Sequence, residues 1–214
     1  MGSRLLPERR EYRAEPLDVE ALPPTPLPLL SMWLADALVQ GVPDANAMTL
    51  VTVAADGAPS ARIVLLKEIT DEVLTFFTNT HSRKGRELEH DGRCALVFFW
   101  PTAMRQVRVE GHAAFVPDGE ADRYFATRPR GSQLAAWASA QSEPLPHREA
   151  LEQALRDVAA RFADLPVPRP PHWGGYAVRP HTVEFWQGQE HRLHERVVYQ
   201  LSAERLWRRR LLNP

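Results

Sequence analysis

The sequence has very little cysteine, no excess of either charge and no long apolar run. Its single cysteine, Cys94, excludes a disulfide within the chain and favours a reducing compartment such as the cytoplasm. The formal net charge of −1 lacks the surplus of lysine and arginine that general nucleic-acid and membrane-surface binders carry. No signal peptide is visible, and the apolar runs fall far short of the roughly 20 residues of a spanning helix. We therefore expect neither nucleic-acid nor membrane partners, and positive charge only in local clusters.

The common glycine-rich nucleotide motifs, Gly-x-Gly-x-x-Gly and the P-loop, are absent as well. A chain of 214 residues can bury one sizeable core, and barrels of this size are often single domains. Residues 1–28 are rich in charge and proline, which is typical of an arm with little structure of its own unless it docks. We therefore expect an N-terminal arm or lid over residues 1–28 and a single domain over residues 29–214.

Most of this domain alternates short apolar segments with turn residues, as β proteins do. Helical spacing from Leu29 to Leu38, ended by Gly41, predicts one helix before the strands. An Asp56-Gly57 turn predicts the first hairpin. The expected strands are Thr49–Ala54, Ala61–Leu66, Val73–Thr78, Cys94–Trp100, Gln106–Val116, Tyr176–Val178 and Thr182–Trp186, with Trp207–Leu212 closing the chain. This pattern predicts a mainly β fold with flanking helices, a barrel or a sandwich, and disfavours a doubly wound α/β sheet.

Two helices are expected among the strands. The first, Ser82–His90, carries three cations in its first turns, Arg83, Lys84 and Arg86. The helix dipole disfavours cations there unless an anion lies nearby, so a bound phosphate would explain them. The second, Ser142–Phe162, has apolar residues at helical spacing that we expect to pack in the core: Leu151, Leu155, Val158 and Phe162. Cys94 is also expected to be inert core.

The segment from Glu184 to Arg196 places a cationic or titratable side chain at every second position, at Arg192, His194 and Arg196. In an extended strand these three side chains, here called the cationic comb, would share one face. Such a face would bind an anionic ligand, with Trp186 as core or as a platform for a flat ring. The alternative is an ordinary solvated strand face.

A second cationic pattern is the spacing of four between Tyr124, Arg128 and Ser132. On one helix face this spacing would give an arginine flanked by two hydroxyls, which is a good phosphate grip. Pro129 interrupts the run, so the alignment requires two helical pieces that meet at a bend.

Two weaker patterns lie on expected strands. Arg62 and Lys67 stand at the ends of an apolar strand and on opposite faces, so one pocket could use both only through a bend or a strand end. Gln106 lies opposite the buried-face residues Val107 and Val109, on the polar face of its strand. It could form hydrogen bonds with the edge of a ligand ring, or it could be an ordinary surface glutamine.

Nine motifs occur in the order found in pyridoxamine 5′-phosphate oxidases. They are Arg9-Arg10-Glu11-Tyr12, Arg62–Lys67, Phe76–Asn79, Ser82–Lys84, Arg105–Val107, Arg128–Gln133, Gln141-Ser142, Trp173–Gly175 and Glu184–Arg196. The sequence resembles this family from near residue 9 to its end. The resemblance implies a homodimeric split β-barrel with flavin mononucleotide (FMN) sites at the subunit interface. It also implies oxidation of pyridoxine or pyridoxamine 5′-phosphate to pyridoxal 5′-phosphate by O2, giving H2O2, and ammonia from the amine.

The resemblance also implies the site residues. Around FMN it implies Arg62, Ile63, Val64, Leu65, Leu66, Lys67, Phe77, Thr78, Arg83, Lys84, Gln106, Gln141, Ser142, Trp186 and Arg196. Around the substrate it implies Arg9, Arg10, Glu11 and Tyr12 as a lid, Lys67, Tyr124, Arg128 and Ser132 at the phosphate, and Arg192, Leu193 and His194 near the ring. Arg192 and His194 are the catalytic candidates, neither of them as an essential base, and no metal is expected. Phe77 departs from the tyrosine common in the family, so any side-chain hydroxyl contact there would be lost.

Three other functions fit parts of the pattern. A related flavin oxidase of phenazine assembly shares the barrel and the segment Arg192–Arg196 but would not need the phosphate grip around Arg128. A non-catalytic FMN-binding protein would have no use for a second phosphate site. A nucleic-acid binder would depend on Arg208–Arg210, and three arginines at a chain end are usually a solvated edge.

Overall fold

The computed structural model describes residues 16–214, and within them five α-helices interrupt a predominantly β chain. The helices are α1 Pro26–Val39, α2 Arg83–His90, α3 Asp118–Ala126, α4 Arg130–Ala138 and α5 Arg148–Arg161. The strands are β1 Ala47–Val53, β2 Pro59–Leu65, β3 Glu68–Ile69, β4 Leu74–Asn79, β5 Arg93–Trp100, β6 Arg105–Phe115, β7 Trp173–Gln187, β8 Glu195–Leu201 and β9 Trp207–Leu212. In this part of the chain no helix combines the length and apolarity needed to cross a membrane.

The strands hydrogen-bond in the order β2-β1-β5-β6-β7-β4-β3, and β8 and β9 continue from β7. The chain divides into two compact units. The first unit contains the described residues up to Ala45 together with Val97–Val109 and His181–Pro214. The second unit contains Asn46–Leu96 and Glu110–Pro180. The expected boundary at residue 28 and the single domain over residues 29–214 stay predictions.

In the second unit, β1 and β2 form the hairpin predicted at Asp56-Gly57, with Val53 opposite Pro59. Strand β4 pairs antiparallel with the first half of β7. An aromatic core that includes Phe125, Phe162 and Trp173 lies under the helices of this unit. Cys94 is buried on β5, and burial raises the pKa of its thiol to about 12, which confirms it as inert core.

In the first unit, the predicted apolar face of α1 packs on the sheet. Trp33 meets Phe185 of β7 edge to face, with 5.2 Å between the ring centroids, and both rings are buried. The second half of β7 pairs antiparallel with β8, and β8 pairs with β9. The hydroxyl of Tyr199 donates to the carbonyl of Pro23 at 2.9 Å, which docks the described end of the N-terminal arm.

The predictions for β7 and α5 are wrong in part. The expected strands Tyr176–Val178 and Thr182–Trp186 are one continuous strand, β7. Pro180 does not break it, because this proline lies between the residues that pair with β4 and those that pair with β8. The expected helix Ser142–Phe162 begins only at Arg148.

The apolar face expected on this helix is also only partly buried. Leu151 is 38% exposed and Leu155 is 39% exposed, whereas Phe162, at the C-terminal end, is buried in the aromatic core. Periodicity identified the apolar stripe, but only the last turn of α5 reaches the core of this unit.

Candidate functional site

A cavity of about 480 Å³ in the second unit collects most of the predicted site residues of that unit. Predicted residues in its lining are Ile63, Val64, Leu65, Lys67, Phe77, Thr78, Lys84, Tyr124, Arg128, Ser132 and Gln141. Thr127, Pro129 and Trp173 also line it and had not been predicted. The residues come from β2, β4, α2, the corner between α3 and α4, the segment after α4 and the start of β7, so the fold assembles them from distant parts of the sequence.

The corner between α3 and α4 produces the predicted alignment of the phosphate grip. Helix α3 ends at Ala126, and Pro129 is the N-cap of α4. Tyr124 and Ser132 therefore lie on different helices, with Arg128 in the connection, and all three line the same cavity. The predicted bend at Pro129 is confirmed.

Arg128 is the group in this cavity that most clearly lacks a partner. Its Nη1 atom is buried, and among the described residues it has no hydrogen-bond partner. The guanidinium carbon lies 4.9 Å from the ring centroid of Trp173 and 5.4 Å from that of Phe125, which fixes the plane of the group. Burial lowers the pKa of Arg128, against a smaller raising effect of Tyr124. A buried donor without an acceptor is costly, and an anionic ligand would satisfy it.

Three stacked aromatic rings form one wall of the cavity. The ring of Phe77 lies 4.1 Å from that of Tyr124 and 5.4 Å from that of Trp173, with the planes nearly parallel. Gly175 makes room for this stack, because a Cβ atom at that position would lie 2.6 Å from the Phe77 ring. The ring of Phe77 therefore packs against Tyr124 through its face, and this contact does not need a hydroxyl group on residue 77.

Lys84, which also lines the cavity, stands in the first turn of α2. Its Nζ atom donates to Thr78 Oγ1 at 2.9 Å, to Ser82 Oγ at 3.0 Å and to Gln141 Oε1 at 2.9 Å. All three acceptors are uncharged. Burial and the charge of Arg62 lower the pKa of Lys84 to about 8, while Glu87 opposes them. The N-terminus of α2 and this ammonium group together favour an anion.

Arg62 and Arg83, both expected around FMN, share the buried carboxylate of Glu87. Arg62 Nη2 lies 3.1 Å from Glu87 Oε2, and Arg83 Nε lies 2.8 Å from Glu87 Oε1. Burial alone would raise the pKa of Glu87, but hydrogen bonds from Ser60, Thr52 and the two arginines hold it at about 2. The carboxylate of Glu87, on the helix itself, thus supplies part of the negative charge expected near the first turn of α2.

In the first unit, the strand predicted for the cationic comb is wrong. Glu190–Arg192 form a single turn of 3-10 helix, and β8 begins only at Glu195. Because Gln187 of β7 pairs antiparallel with Glu195, the chain must reverse between them, and His191 and Arg192 take positive φ angles of 54° and 66°. Shared strand parity therefore does not place the three comb residues on one face.

Arg196, the comb residue that does lie on β8, is held by Glu184 of β7. Its Nε lies 2.9 Å from Glu184 Oε1, and its Nη1 donates to the carbonyl of Asn213 at 2.9 Å. Arg108 Nη1 lies 3.2 Å from Glu184 Oε2, so the buried carboxylate receives two arginines. The contact with Glu184 raises the pKa of Arg196 further and keeps it charged.

His194 contacts Trp186, with 4.7 Å between the ring centroids. Its Nδ1 accepts from the backbone N–H of Gln189 at 3.1 Å, which assigns the proton of the neutral ring to Nε2. Burial, together with the charge of Arg192, lowers the pKa of His194 from its ordinary value of 6.5. The imidazole is therefore neutral at pH 7 and can donate from Nε2.

The remaining predicted residues are placed as follows. Gln106 is half-buried on β6, opposite the buried Val107 and Val109, as predicted. Leu66 is buried just beyond β2, whereas Ser142 is exposed in the loop after α4. The expected lid, Arg9 to Tyr12, lies outside the described residues.

Comparison with known proteins places the chain in a family. Residues 34–162 match a sequence model described as pyridoxamine 5′-phosphate oxidase, and residues 173–214 match one described as the pyridoxine 5′-phosphate oxidase C-terminal dimerisation region. The chain belongs to the pyridoxamine 5′-phosphate oxidase family. Members of this family are FMN-dependent oxidoreductases, which confirms the expected enzyme class and cofactor at the level of the family.

Individual relatives agree over nearly the whole chain. The chain is 48% identical to a pyridoxine/pyridoxamine 5′-phosphate oxidase of a Cyanothece species, over 96% of both chains. It is 50% identical to the enzyme of that name from Rubrobacter xylanophilus, over 96% of this chain and 94% of the relative. The crystal structure of PhzG from Burkholderia lata in complex with tetrahydrophenazine-1-carboxylic acid is 32% identical, with a TM-score of 0.90 over 96% of this chain and 100% of that chain. This likeness confirms the predicted fold class.

Sequence reasoning from the family motifs missed two carboxylates, Glu87 and Glu184. Both carboxylates are buried. Glu87 contacts Arg62 and Arg83, and Glu184 contacts Arg196; the resemblance assigns all three arginines to FMN. Glu184 also contacts Arg108, to which the resemblance gives no role. Glu87 carried a usable signal, because it stands four residues after Arg83 on an expected helix. Glu184 had none, since its partners Arg108 and Arg196 stand on neighbouring strands whose pairing the sequence does not show.

Proposed function

We propose that this chain oxidises pyridoxine 5′-phosphate and pyridoxamine 5′-phosphate to pyridoxal 5′-phosphate, using FMN and reducing O2 to H2O2, with ammonia released from the amine. The cytoplasm is the expected compartment. One observation carries the proposal: the buried Nη1 of Arg128 has no partner among the described residues and lies in the cavity that Lys67, Tyr124 and Ser132 also line. This grip supports a phosphorylated substrate in particular.

The donor set of the second unit fits FMN as well. Among the described residues Lys84 donates only to uncharged acceptors, and the neighbouring cations Arg62 and Arg83 both contact Glu87 on the same helix. These groups would hold the FMN phosphate, with Thr78 and Gln141 beside it. When bound, FMN supplies the capacity to accept a hydride, which no amino-acid side chain has. Lys84 and Arg128 both line the cavity, and we assign the first to the FMN phosphate and the second to the substrate phosphate.

The residues of this chain bind, orient and shield the substrate. The hydroxyls of Tyr124 and Ser132 can donate to a phosphate that Arg128 clamps with two N–H groups. The stacked rings of Phe77 and Trp173 give the wall an apolar surface that keeps water from the bound ring. Tight binding of the remote phosphate then positions the reacting carbon.

Arg192 and His194 remain the proposed catalytic residues near the pyridine ring. Arg192 is permanently charged and exposed, so it can stabilise negative charge on the substrate. His194 is neutral at pH 7 and can donate a hydrogen bond from Nε2 to a substrate oxygen or amine. It would position a proton rather than act as an essential base.

A homodimer with FMN at its interface completes the proposal. The match to a dimerisation region supports the dimer. Ile63 is 64% exposed and Leu65 is 40% exposed, although both line the cavity. Apolar side chains at such a rim are expected to be covered by a partner subunit.

A phenazine substrate is the alternative, because the structure of PhzG with tetrahydrophenazine-1-carboxylic acid is similar over nearly the whole chain. A carboxylated tricycle has no phosphate for the grip around Arg128. The deciding experiment is an absorbance spectrum of the purified, FMN-loaded protein under anaerobic conditions. Pyridoxine 5′-phosphate should bleach the flavin band, and admission of air should restore it with one H2O2 per turnover. If unphosphorylated pyridoxine or a dihydrophenazine acid bleached it equally well, the proposed substrate would be wrong.

A further inference from the structure

Glu87 lies at the centre of the cations that would meet the FMN phosphate, although the family resemblance assigns it to neither ligand. Its side chain is 6% exposed, and its two oxygens contact Arg62 at 3.1 Å and Arg83 at 2.8 Å. The hydroxyls of Ser60 and Thr52 donate to Oε2 at 2.6 and 2.5 Å. Four side chains on β1, β2 and α2 therefore converge on one carboxylate.

We propose that Glu87 is a positioning residue for the phosphate of FMN: it holds Arg62 and Arg83 side by side next to Lys84, so that the cationic surface is formed before FMN arrives. The inference rests on the proposed function, because it needs an FMN phosphate at this end of α2. Without Glu87, two guanidinium groups and one ammonium group would repel one another. The side chains would then have to be ordered when FMN binds, at the expense of affinity.

The charge of the cluster also suits this role. Glu87 stays ionised, since its pKa is held at about 2. Three cations and one carboxylate leave a net charge of about +2, which complements the roughly −2 charge of a phosphate monoester near pH 7. A neutral residue at this position would leave the cluster with a higher positive charge, but it would no longer hold Arg62 and Arg83 in place.

Glu87 also acts on Lys84. The Nζ atom faces Thr78 on β4, Ser82 and Gln141, and the charged groups that affect it are Arg62 on β2 and Glu87 on its own helix. Burial and Arg62 favour the neutral amine, whereas Glu87 favours the ammonium form. Loss of the carboxylate should therefore let Lys84 lose its proton at a lower pH.

The test compares the dissociation constants of FMN and riboflavin for the apoprotein, by quenching of flavin fluorescence, between pH 6.5 and 9. The dissociation constant of riboflavin divided by that of FMN isolates the contribution of the phosphate. In Glu87→Gln we expect FMN to bind at least about tenfold more weakly and riboflavin to change by less than about twofold. In the wild type the ratio should fall as the pH rises through the pKa of Lys84, about 8, and in Glu87→Gln it should fall at lower pH.

Glu152→Gln is the matched control. It removes the carboxylate of another i,i+4 pair, Arg148–Glu152, which is exposed, and both dissociation constants should be unchanged. If Glu87→Gln weakened FMN and riboflavin equally, or left the pH profile unmoved, Glu87 would be merely structural and the inference would be wrong. If the wild type bound neither flavin, the proposed function itself would fail.

A second variant covers the case in which Glu87→Gln does not fold. Ser60→Ala removes one hydrogen bond to the same carboxylate oxygen and the hydrogen bond that Arg62 Nη2 donates to Ser60 Oγ, and it leaves the charge in place. We expect a smaller loss, about two- to fivefold for FMN, with riboflavin unchanged. An unchanged ratio in a folded Ser60→Ala would count against the positioning role.

Discussion

The ring of Phe77 stacks on the ring of Tyr124 with 4.1 Å between their centroids and 10° between their planes. Tyr124 is one of the hydroxyl residues of the proposed phosphate grip, and Phe77 carries no hydroxyl of its own. The stack explains how the position works without a hydroxyl, because the contact to Tyr124 uses the ring face. Phe77 therefore fixes the direction in which Tyr124 presents its phenol group to the cavity.

Gly175 is the first residue through which this arrangement can be tested. Gly175→Ala would place a Cβ atom 2.6 Å from the Phe77 ring, so the stack must shift. We expect the free energy of unfolding to fall by about 1–3 kcal/mol, as in other overpacked sites. The KM for pyridoxine 5′-phosphate should rise several-fold, because Tyr124 moves with Phe77.

Gly131→Ala on α4 is the control for this change, because among the described residues no atom beyond its chain neighbours and its own helix backbone lies within 4 Å of the added Cβ. Its free energy of unfolding should be unchanged or raised by up to about 1 kcal/mol. Urea denaturation and steady-state kinetics on both variants supply the comparison. Equal stability in the two variants would show that the wall tolerates a methyl group at Gly175.

Replacing Arg128 should weaken substrate binding but stabilise the ligand-free protein. A charge-assisted, bidentate contact to the substrate phosphate is worth roughly 1.5–3 kcal/mol, so Arg128→Met should raise the KM at least about tenfold. In the ligand-free protein the same change removes a buried donor without an acceptor, and the free energy of unfolding should rise by about 1 kcal/mol. FMN content should stay the same. A parallel loss of FMN would mean that Arg128 holds the cofactor phosphate instead.

The sequence predicted the parts of the fold whose signals are local. Apolar spacing gave α1, the Asp56-Gly57 turn gave the first hairpin, and Pro129 gave the bend between α3 and α4. Each of these depends on residues close together in the chain. Family motifs then identified residues that the fold brings to one cavity, which residue spacing alone could not do.

The failures have a common cause, since each depends on contacts that residue spacing does not show. The strand expected for the cationic comb is a turn because Gln187 pairs with Glu195, and the alternation of residue types does not show that the chain reverses between them. In the same way, Leu155 looks like a core residue from its spacing but lies on a part of α5 that the core of its unit does not cover. Local periodicity identifies an apolar stripe or an extended segment, but it does not show which other part of the chain packs against the stripe or pairs with the segment.

His194 should produce an acid limb in the pH profile. Its pKa is lowered from 6.5, so the ring stays neutral as the pH falls to that value and takes up a proton only below it. Protonation removes the Nδ1 acceptor of the Gln189 N–H and adds a charge beside Arg192. We expect kcat/KM to be level between pH 7.5 and about 6.5 and to fall at lower pH. His194→Gln should lower kcat/KM by about tenfold and abolish the limb; a limb that persisted in this variant would belong to another group.

The last prediction distinguishes the roles of Arg192 and Arg196. The sequence predicted both on one strand face, but the structure places Arg192 on a turn and Arg196 on β8. Arg192 is exposed on a turn, so Arg192→Ala should leave the free energy of unfolding and the FMN content unchanged and lower the anaerobic reduction rate by about tenfold or more. Arg196 contacts the buried Glu184, so Arg196→Ala should lower the free energy of unfolding by about 1–3 kcal/mol and weaken FMN retention.

Arg148→Ala, which breaks an exposed pair with Glu152, controls for loss of an arginine and should cost less than about 1 kcal/mol. The measurements are urea denaturation, FMN occupancy from the absorbance spectrum and stopped-flow reduction by pyridoxine 5′-phosphate. Arg196 owes its position to Glu184, so Glu184→Gln should reproduce the FMN loss of Arg196→Ala while leaving the reduction rate of the loaded enzyme close to that of the wild type. If Arg192→Ala lost FMN and Arg196→Ala lost only rate, the two arginines would have the reverse roles.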